Sequence, residues 1–378
     1  MKFLYLILIL TVMTFSLKLV PQWNFKTNGW VNGLVFSHDG KLGIAASSSC
    51  AYVVKEGSVI SRMCTGTNIM DVSYCCNTFG FIDNEGKVLL FNNEWRTLKL
   101  SDDFNGGILL LPSAFVAAGN YLQLTLYNGT SLWRLKVGLV RHGLAVIGNR
   151  LYSADIGLRR LLVVDVTRGN IIKMLNYPSF KQEGIYDVKS CDRYLAVTTS
   201  SRVYLFEVTP NGSLAKLWVK PGFKFAFTIS FSSDCKYLAV VDQNDFSISI
   251  LNSSGSIVYK LNVRNLPTAI SWSMTSIAVG FLDGSVKTFE VVSYRPFGLS
   301  IKSLMSLDDY QYEIFKWCYD LVGSPEECYS IAKESKLILP QGIQPLLPRA
   351  LELISREYRH VNPIALRTSL SLLSGLAR

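Results

Sequence analysis

FSSDCKYLAVVDQNDFSISILNSSGSIVYKL, residues 231–261, and AISWSMTSIAVGFLDGSVKTFEV, residues 269–291, decide the fold. Each reads as a short apolar strand, a polar turn, a second strand, another turn and a third strand. In Phe246–Leu251 the side chains alternate, with Phe and Ile on one face and Ser247 and Ser249 on the other. Such alternation, punctuated by Gly, Asn, Asp and Ser, predicts strands and tight turns. A strand pair cannot bury both of its faces alone, so these units need neighbours.

The neighbours lie upstream. A turn before the last strand of each unit begins at residues 55, 92, 128, 167, 210 and 252, in steps of 37, 36, 39, 43 and 42. A first strand recurs in step with these turns, from Val31–Phe36 through Ile69–Tyr74, Gly107–Leu111, Gly143–Ile147, Ile185–Val188 and Thr228–Phe231 to Ala269–Trp272. Repetition with a period near 40 residues is the signature of blades arranged round an axis. Seven units are expected.

The motifs within these units resemble those of the WD40-repeat family. Phe36-Ser37-His38-Asp39-Gly40-Lys41 and Phe231-Ser232-Ser233-Asp234-Cys235-Lys236 are similar to the family's "FSPDGK" turn, and Cys191-Asp192-Arg193-Tyr194-Leu195-Ala196 is a weaker copy. Asp283–Val291 is similar to its "DGSVKVWDV" strand, with Phe289-Glu290 where Trp-Asp is usual. The Gly-His and Trp-Asp dipeptides of the family are absent. The resemblance covers roughly residues 18–300. It implies an all-β, seven-bladed WD40-like propeller whose N-terminal strand, Lys18–Phe25, closes the ring beside Ser285–Val291.

Residues 3–17 form an uncharged apolar run behind Lys2, of a length that suits a secretory h-region better than a spanning helix. The run has no place among the seven units. Residues 1–17 are therefore expected to be a signal peptide or membrane anchor, residues 18–302 the propeller, and residues 303–378 a small helical domain. The last expectation rests on helical spacing from Ser306, on the capping box Ser324-Pro325-Glu326-Glu327 and on Asn362-Pro363. A membrane-anchored or exported protein follows, or a cytoplasmic one if translation starts at Met13.

The cysteines at 50, 64, 75, 76, 191, 235, 318 and 328 are scattered, without the spacing of a zinc site. Free and mostly buried thiols are the expectation, since Cys readily occupies cores. Three Asn-X-Ser/Thr triplets, at Asn128, Asn211 and Asn252, fall in tight turns whose chemistry explains them without glycans.

The formal net charge is +10. Residues 134–173 alone hold eight Lys/Arg against two Asp. Arg141, Arg150, Arg159, Arg160 and Arg168 are candidate contacts for an acidic protein, an anionic lipid or a nucleic acid, against the alternative of a solvated basic surface. Only three His occur, none near another in sequence, and there is no P-loop, G-x-S-x-G or G-x-G-x-x-G. No catalytic, cofactor-binding or metal-binding residue is assigned. The expected function is a non-catalytic scaffold for protein partners. The alternative is an extracytoplasmic propeller enzyme or ligand-binding protein that assembles carboxylates at the axial channel. A pocket with convergent carboxylates and perturbed pKa values would favour that alternative, and a wide apolar or single-sign patch on one face would favour the scaffold.

Overall fold

The computed structural model describes residues 16–294, except 38–39, 101–103, 105 and 210–211, and no side chain of residues 16, 293 or 294. Residues Leu17–Val292 form one compact unit. It is a seven-bladed β-propeller made of seven four-stranded antiparallel sheets. The expected helical domain and the apolar run 3–15 lie outside the described residues.

From the axis outward, blade 1 consists of Val31–Phe36, Leu42–Ala46, Cys50–Lys55 and Ser58–Cys64. The innermost strands of blades 2 to 7 are Ile69–Cys75, Ile108–Leu110, Leu144–Ile147, Ile185–Cys191, Ala226–Phe231 and Pro267–Trp272. They match the repeat read from the sequence. The one helix among the described residues, Pro178–Glu183, lies between blades 4 and 5.

Blade 7 takes three strands from the C-terminal side and its outermost, Ser16–Lys26, from the N-terminal side. Among the long-range contacts that fasten this seam, Lys26 Nζ donates to the Asp283 carbonyl, and Thr27 Oγ1 donates to the Gly284 carbonyl. Closure removes the sheet edge that an open ring would expose to aggregation.

The second and third strands of a blade are buried on both faces, because each blade is packed between two others. In Ser247–Asn252, Ile248 and Ile250 pack toward blade 7, while Leu251 joins the cluster shared with blade 5. Phe246 departs from the expected alternation. It lies in the preceding turn with φ 48°, because Phe246 N–H closes that turn on the Gln243 carbonyl. Phe81, Phe115, Phe206 and Phe281, all in second or third strands, are fully buried. Truncating one to Ala is expected to cost about 3–5 kcal/mol.

Around the axis, side chains of one inner strand bond the backbone of the next. Asp71 Oδ2 accepts from Ile108 N–H, Ser73 Oγ from Leu110 N–H, Ser230 Oγ from Trp272 N–H and Ser271 Oγ from Phe36 N–H. Inner strands are parallel to one another and too far apart for ladder bonds, so these polar side chains satisfy backbone groups that burial would otherwise leave unpaired.

The thiol expectation is overturned in part. Cys50–Cys64 and Cys191–Cys235 are disulfides, while Cys75 and Cys76 are free. The reason is geometric. Cys50 and Cys64 are directly opposed in neighbouring strands of blade 1. The second pair is 44 residues apart, about one blade repeat, which brings the end of one inner strand against the turn of the next blade. Cys318 and Cys328 lie outside the described residues. At two of the Asn triplets the expected turn chemistry is present: Asn128 Oδ1 accepts from Thr130 N–H, and Asn252 Oδ1 from Ser254 and Ser256 N–H. The positive φ that these turns need falls on Gly129 and Gly255 rather than on Asn.

Candidate functional site

The two ends of the ring differ. Loops entering the inner strands, together with those joining second and third strands, emerge at one face. Loops joining first and second strands, or third and fourth, emerge at the other. At the first face Trp30, Leu158, Phe246 and Leu282 are exposed by 41–54%. Among the described loops of the opposite face, the large apolar side chain exposed is Met274, at 75%. Other exposed apolar residues, such as Leu132 and Leu217, lie on outermost strands.

Half-buried aromatic rings continue the first face toward the axis. Tyr186 packs edge-on against Phe225 at 4.7 Å, Phe225 stacks on Phe227 at 5.9 Å, and Phe227 meets His142 at 6.2 Å. His142 and Phe227 line the mouth of the channel, with Asn32, Asp71, Lys189 and Thr268. The cavity there measures only about 40 Å³.

Asp71 lines this mouth, Asp187 is buried beside Lys189 and Thr228 of its lining, and both are engaged. Asp187 is fully buried and accepts from Thr228 Oγ1 at 2.7 Å, Ile229 N–H at 3.1 Å and Val188 N–H at 2.8 Å. Asp71 holds Ile108 N–H and lies 3.7 Å from His142 Nδ1. Lys189 Nζ is 3.5 Å from Asp187 Oδ1. Burial pulls the Lys189 ammonium toward deprotonation, but the charges of Asp187 and Asp71 outweigh it and leave its pKa raised. The lysine is thus kept a cation, the opposite of what a nucleophilic amine needs. Among the described residues no cluster of His, Cys, Asp and Glu suits a metal ion.

Near Phe246, Asp245 is clamped by Lys224 and Lys260, each at 2.5 Å. Their hydrogen bonds, that of Lys224 first, hold its carboxyl well below the usual range. The clamp fixes the turn that presents Phe246. Phe246 and Arg159 both have positive φ, unusual for side chains of this size, and both belong to loops of the aromatic face.

The five arginines singled out from the sequence do not share a surface. Arg141, Arg159 and Arg160 lie on loops or strand ends of the aromatic face, whereas Arg150 and Arg168 lie at the opposite one. Antiparallel pairing alternates the direction of successive strands, so neighbouring turns of one blade go to opposite ends. Arg159 and Arg141 are exposed, and Arg159 Nη1 donates to the Lys181 carbonyl. Arg160 turns inward, its Nε 3.2 Å from the fully buried Asp155. Arg150 packs on the turn at Gly212, where any side chain would coincide with its guanidinium. Arg168 is exposed and caps the turn held by Asp165 through its backbone N–H.

The apolar residues of the aromatic face were not singled out from the sequence. Their signal is a large apolar residue inside a turn of Gly, Asp or Asn: Leu158 after Gly157, Phe246 after Asp245, Leu282 before Asp283.

No protein-family model and no curated protein matches the chain. Solved structures do. The β-propeller domain of Myceliophteria thermophila Cps50 (Swd1) superposes with a TM-score of 0.62 at 16% identity, covering 73% of this chain and all of that one. BamB from Moraxella catarrhalis superposes with a TM-score of 0.55 at 14% identity, covering 72% of this chain and all of that one. The fold is thereby that of WD40-like and related propellers.

Proposed function

We propose that this propeller is a non-catalytic scaffold that binds a protein partner on its aromatic face. The observation that carries this reading is the one-sided distribution of exposed Trp30, Leu158, Phe246 and Leu282 around a narrow, aromatic-lined mouth. Exposed apolar groups gathered on one face mark a contact surface, and aromatic side chains dominate binding energy at such surfaces. Asp71 and Asp187 both bond the backbone of a neighbouring inner strand, which supports a structural role for them in holding the ring. Arg141 and Arg159 place positive charge on the same face, which suits a partner with acidic residues at its rim.

The reading includes export or membrane anchoring. Two disulfides among the described residues support an oxidising compartment, and the apolar run 3–17 supports a leader or an anchor. Among the described residues no helix is long and apolar enough to cross a membrane. Terminal sequencing of the native protein tests this: retention of Met1, or a start at Met13, in a soluble protein with reduced cysteines would favour the cytoplasm.

The binding reading is tested by placing a photo-crosslinking residue at Leu282 on the aromatic face and at Met274 on the opposite one. Crosslinks to a recurrent partner from position 282 and none from 274 support it. The reverse pattern overturns it.

A further inference from the structure

We propose that Cys75 and Cys76 are a redox modification site, closing to a vicinal disulfide that is labile where the other two are structural. The two residues sit in the hairpin turn between the first two strands of blade 2, on the face opposite the aromatic one. Their sulfurs lie 2.8 Å apart, and the Cys76 side is exposed. Cys76 and Asn77 both have positive φ, 52° and 61°, the geometry of a two-residue turn. Tyr74 Oη donates to Asn77 Oδ1 across that turn. Beside it opens a cleft of about 240 Å³ between blades 2 and 3, lined by Thr78, Glu94, Arg96 and Tyr127 among others. Cys75 pairs with Thr78 across the hairpin, which sets the turn at the edge of this cleft, while the exposed Cys76 is open to an external disulfide from solvent.

The chemistry is thiol–disulfide exchange with a low-molecular-weight disulfide. Burial and then the Cys76 sulfur push the Cys75 thiol up to about 12, which leaves the exposed Cys76 as the attacking sulfur. Its thiolate forms a bond to one sulfur of the external disulfide and expels the other half as a thiolate. Cys75 gives its proton to water and attacks the Cys76 sulfur, and the second external thiolate leaves. Two protein thiols are oxidised and one external disulfide is reduced to two thiols. The cystines Cys50–Cys64 and Cys191–Cys235 suit an oxidising compartment, the setting in which this exchange runs toward the closed form.

Lability follows from chain geometry. A disulfide between adjacent cysteines closes an eight-membered ring that contains the peptide bond joining them, so that planar trans peptide must distort to accommodate the bond. A bond between adjacent cysteines therefore distorts the turn and is the more easily reduced. Forming it is expected to break the Tyr74–Asn77 contact and reshape this hairpin.

The test uses the full-length protein equilibrated in glutathione buffers from reducing to oxidising, quenched with an alkylating agent and cleaved before aspartate. Cleavage before Asp71 and Asp83 releases peptide 71–82, whose only cysteines are 75 and 76. The expected result is a peptide lighter by two hydrogens and closed to alkylation in oxidising buffer. It should reopen at a reductant concentration that leaves Cys50–Cys64 and Cys191–Cys235 intact. In Cys75→Ser the same peptide should carry glutathione on Cys76 instead, with an unchanged melt. A wild-type peptide that keeps both thiols, that holds glutathione at equilibrium, or that is joined to another cysteine overturns the proposal.

Discussion

Trp23 and Thr288 are 265 residues apart and bonded twice: Trp23 N–H donates to Thr288 Oγ1 at 3.2 Å, and Thr288 Oγ1 donates to the Trp23 carbonyl at 3.0 Å. Thr288 is 1% exposed, so the hydroxyl replaces water for both backbone groups where the two ends of the ring meet. The first prediction concerns this closure. Thr288→Val keeps the shape and leaves both groups unpaired, at a cost of about 1–3 kcal/mol. Deleting residues 1–26 removes the outer strand of blade 7 and should abolish cooperative unfolding. A truncated protein that melts with the full-length chain would show that the strand is dispensable.

Arg159 and Arg160 are adjacent and should behave oppositely. Arg160→Glu sets a second negative charge against buried Asp155 and should cost about 1–3 kcal/mol in a urea titration. Asp155→Ala should cost more, about 3–5 kcal/mol, since it also strands the N–H groups of Gly138, Leu139 and Leu158. Arg159→Glu should stay within about 0.5 kcal/mol of wild type. Equal losses at 159 and 160 would refute the inward role of Arg160.

The two disulfides should differ in weight. Cys191–Cys235 closes a loop of 44 residues and ties blade 5 to blade 6, whereas Cys50–Cys64 closes 14 residues within one sheet. By loop length, the double serine variant of the first pair should lose about 4 kcal/mol and that of the second about 3. Denaturant midpoints of the two variants measure the order, and a larger loss at 50/64 would contradict it.

The Asp245 clamp gives a pH dependence of known sign. Its carboxyl is depressed in the folded protein by Lys224 and Lys260. Its contribution is therefore complete above the unfolded carboxylate value, about 3.9, and is lost as pH falls through the lower folded value. Melting temperatures of wild type and Asp245→Asn should differ by a constant amount above about pH 5 and converge in stronger acid. Convergence beginning near neutrality would mean that the clamp is not the cause.

The ring was legible in the sequence because the repeat is physical. Each blade must reverse direction three times, and the turn before its outermost strand, rich in Gly and Asn, recurs every 36 to 43 residues. Ring closure was legible from Lys18–Phe25, a strand without a local partner. The axial site was not, since Asp71, His142, Asp187 and Lys189 come from three blades and no local motif joins them. Side-chain destination was also hidden. Arg159 and Arg160 are identical residues in sequence, and only the φ of 53° at Arg159 decides that one points out and its neighbour points to Asp155. The disulfides were hidden because Cys50–Cys64 depends on strand register within blade 1 and Cys191–Cys235 on the contact of blade 5 with blade 6.

Partner binding by the aromatic face, as proposed, is tested most directly by quantitative capture from the native source. Full-length wild type, the triple variant Trp30→Ser, Phe246→Ser, Leu282→Ser, and the opposite-face variant Met274→Ser are compared at equal loading, each verified by its melt. Loss of three exposed anchors should lower partner recovery at least about tenfold, the equivalent of 1.4 kcal/mol, while Met274→Ser leaves it unchanged. Undiminished recovery by a folded triple variant would contradict the claim.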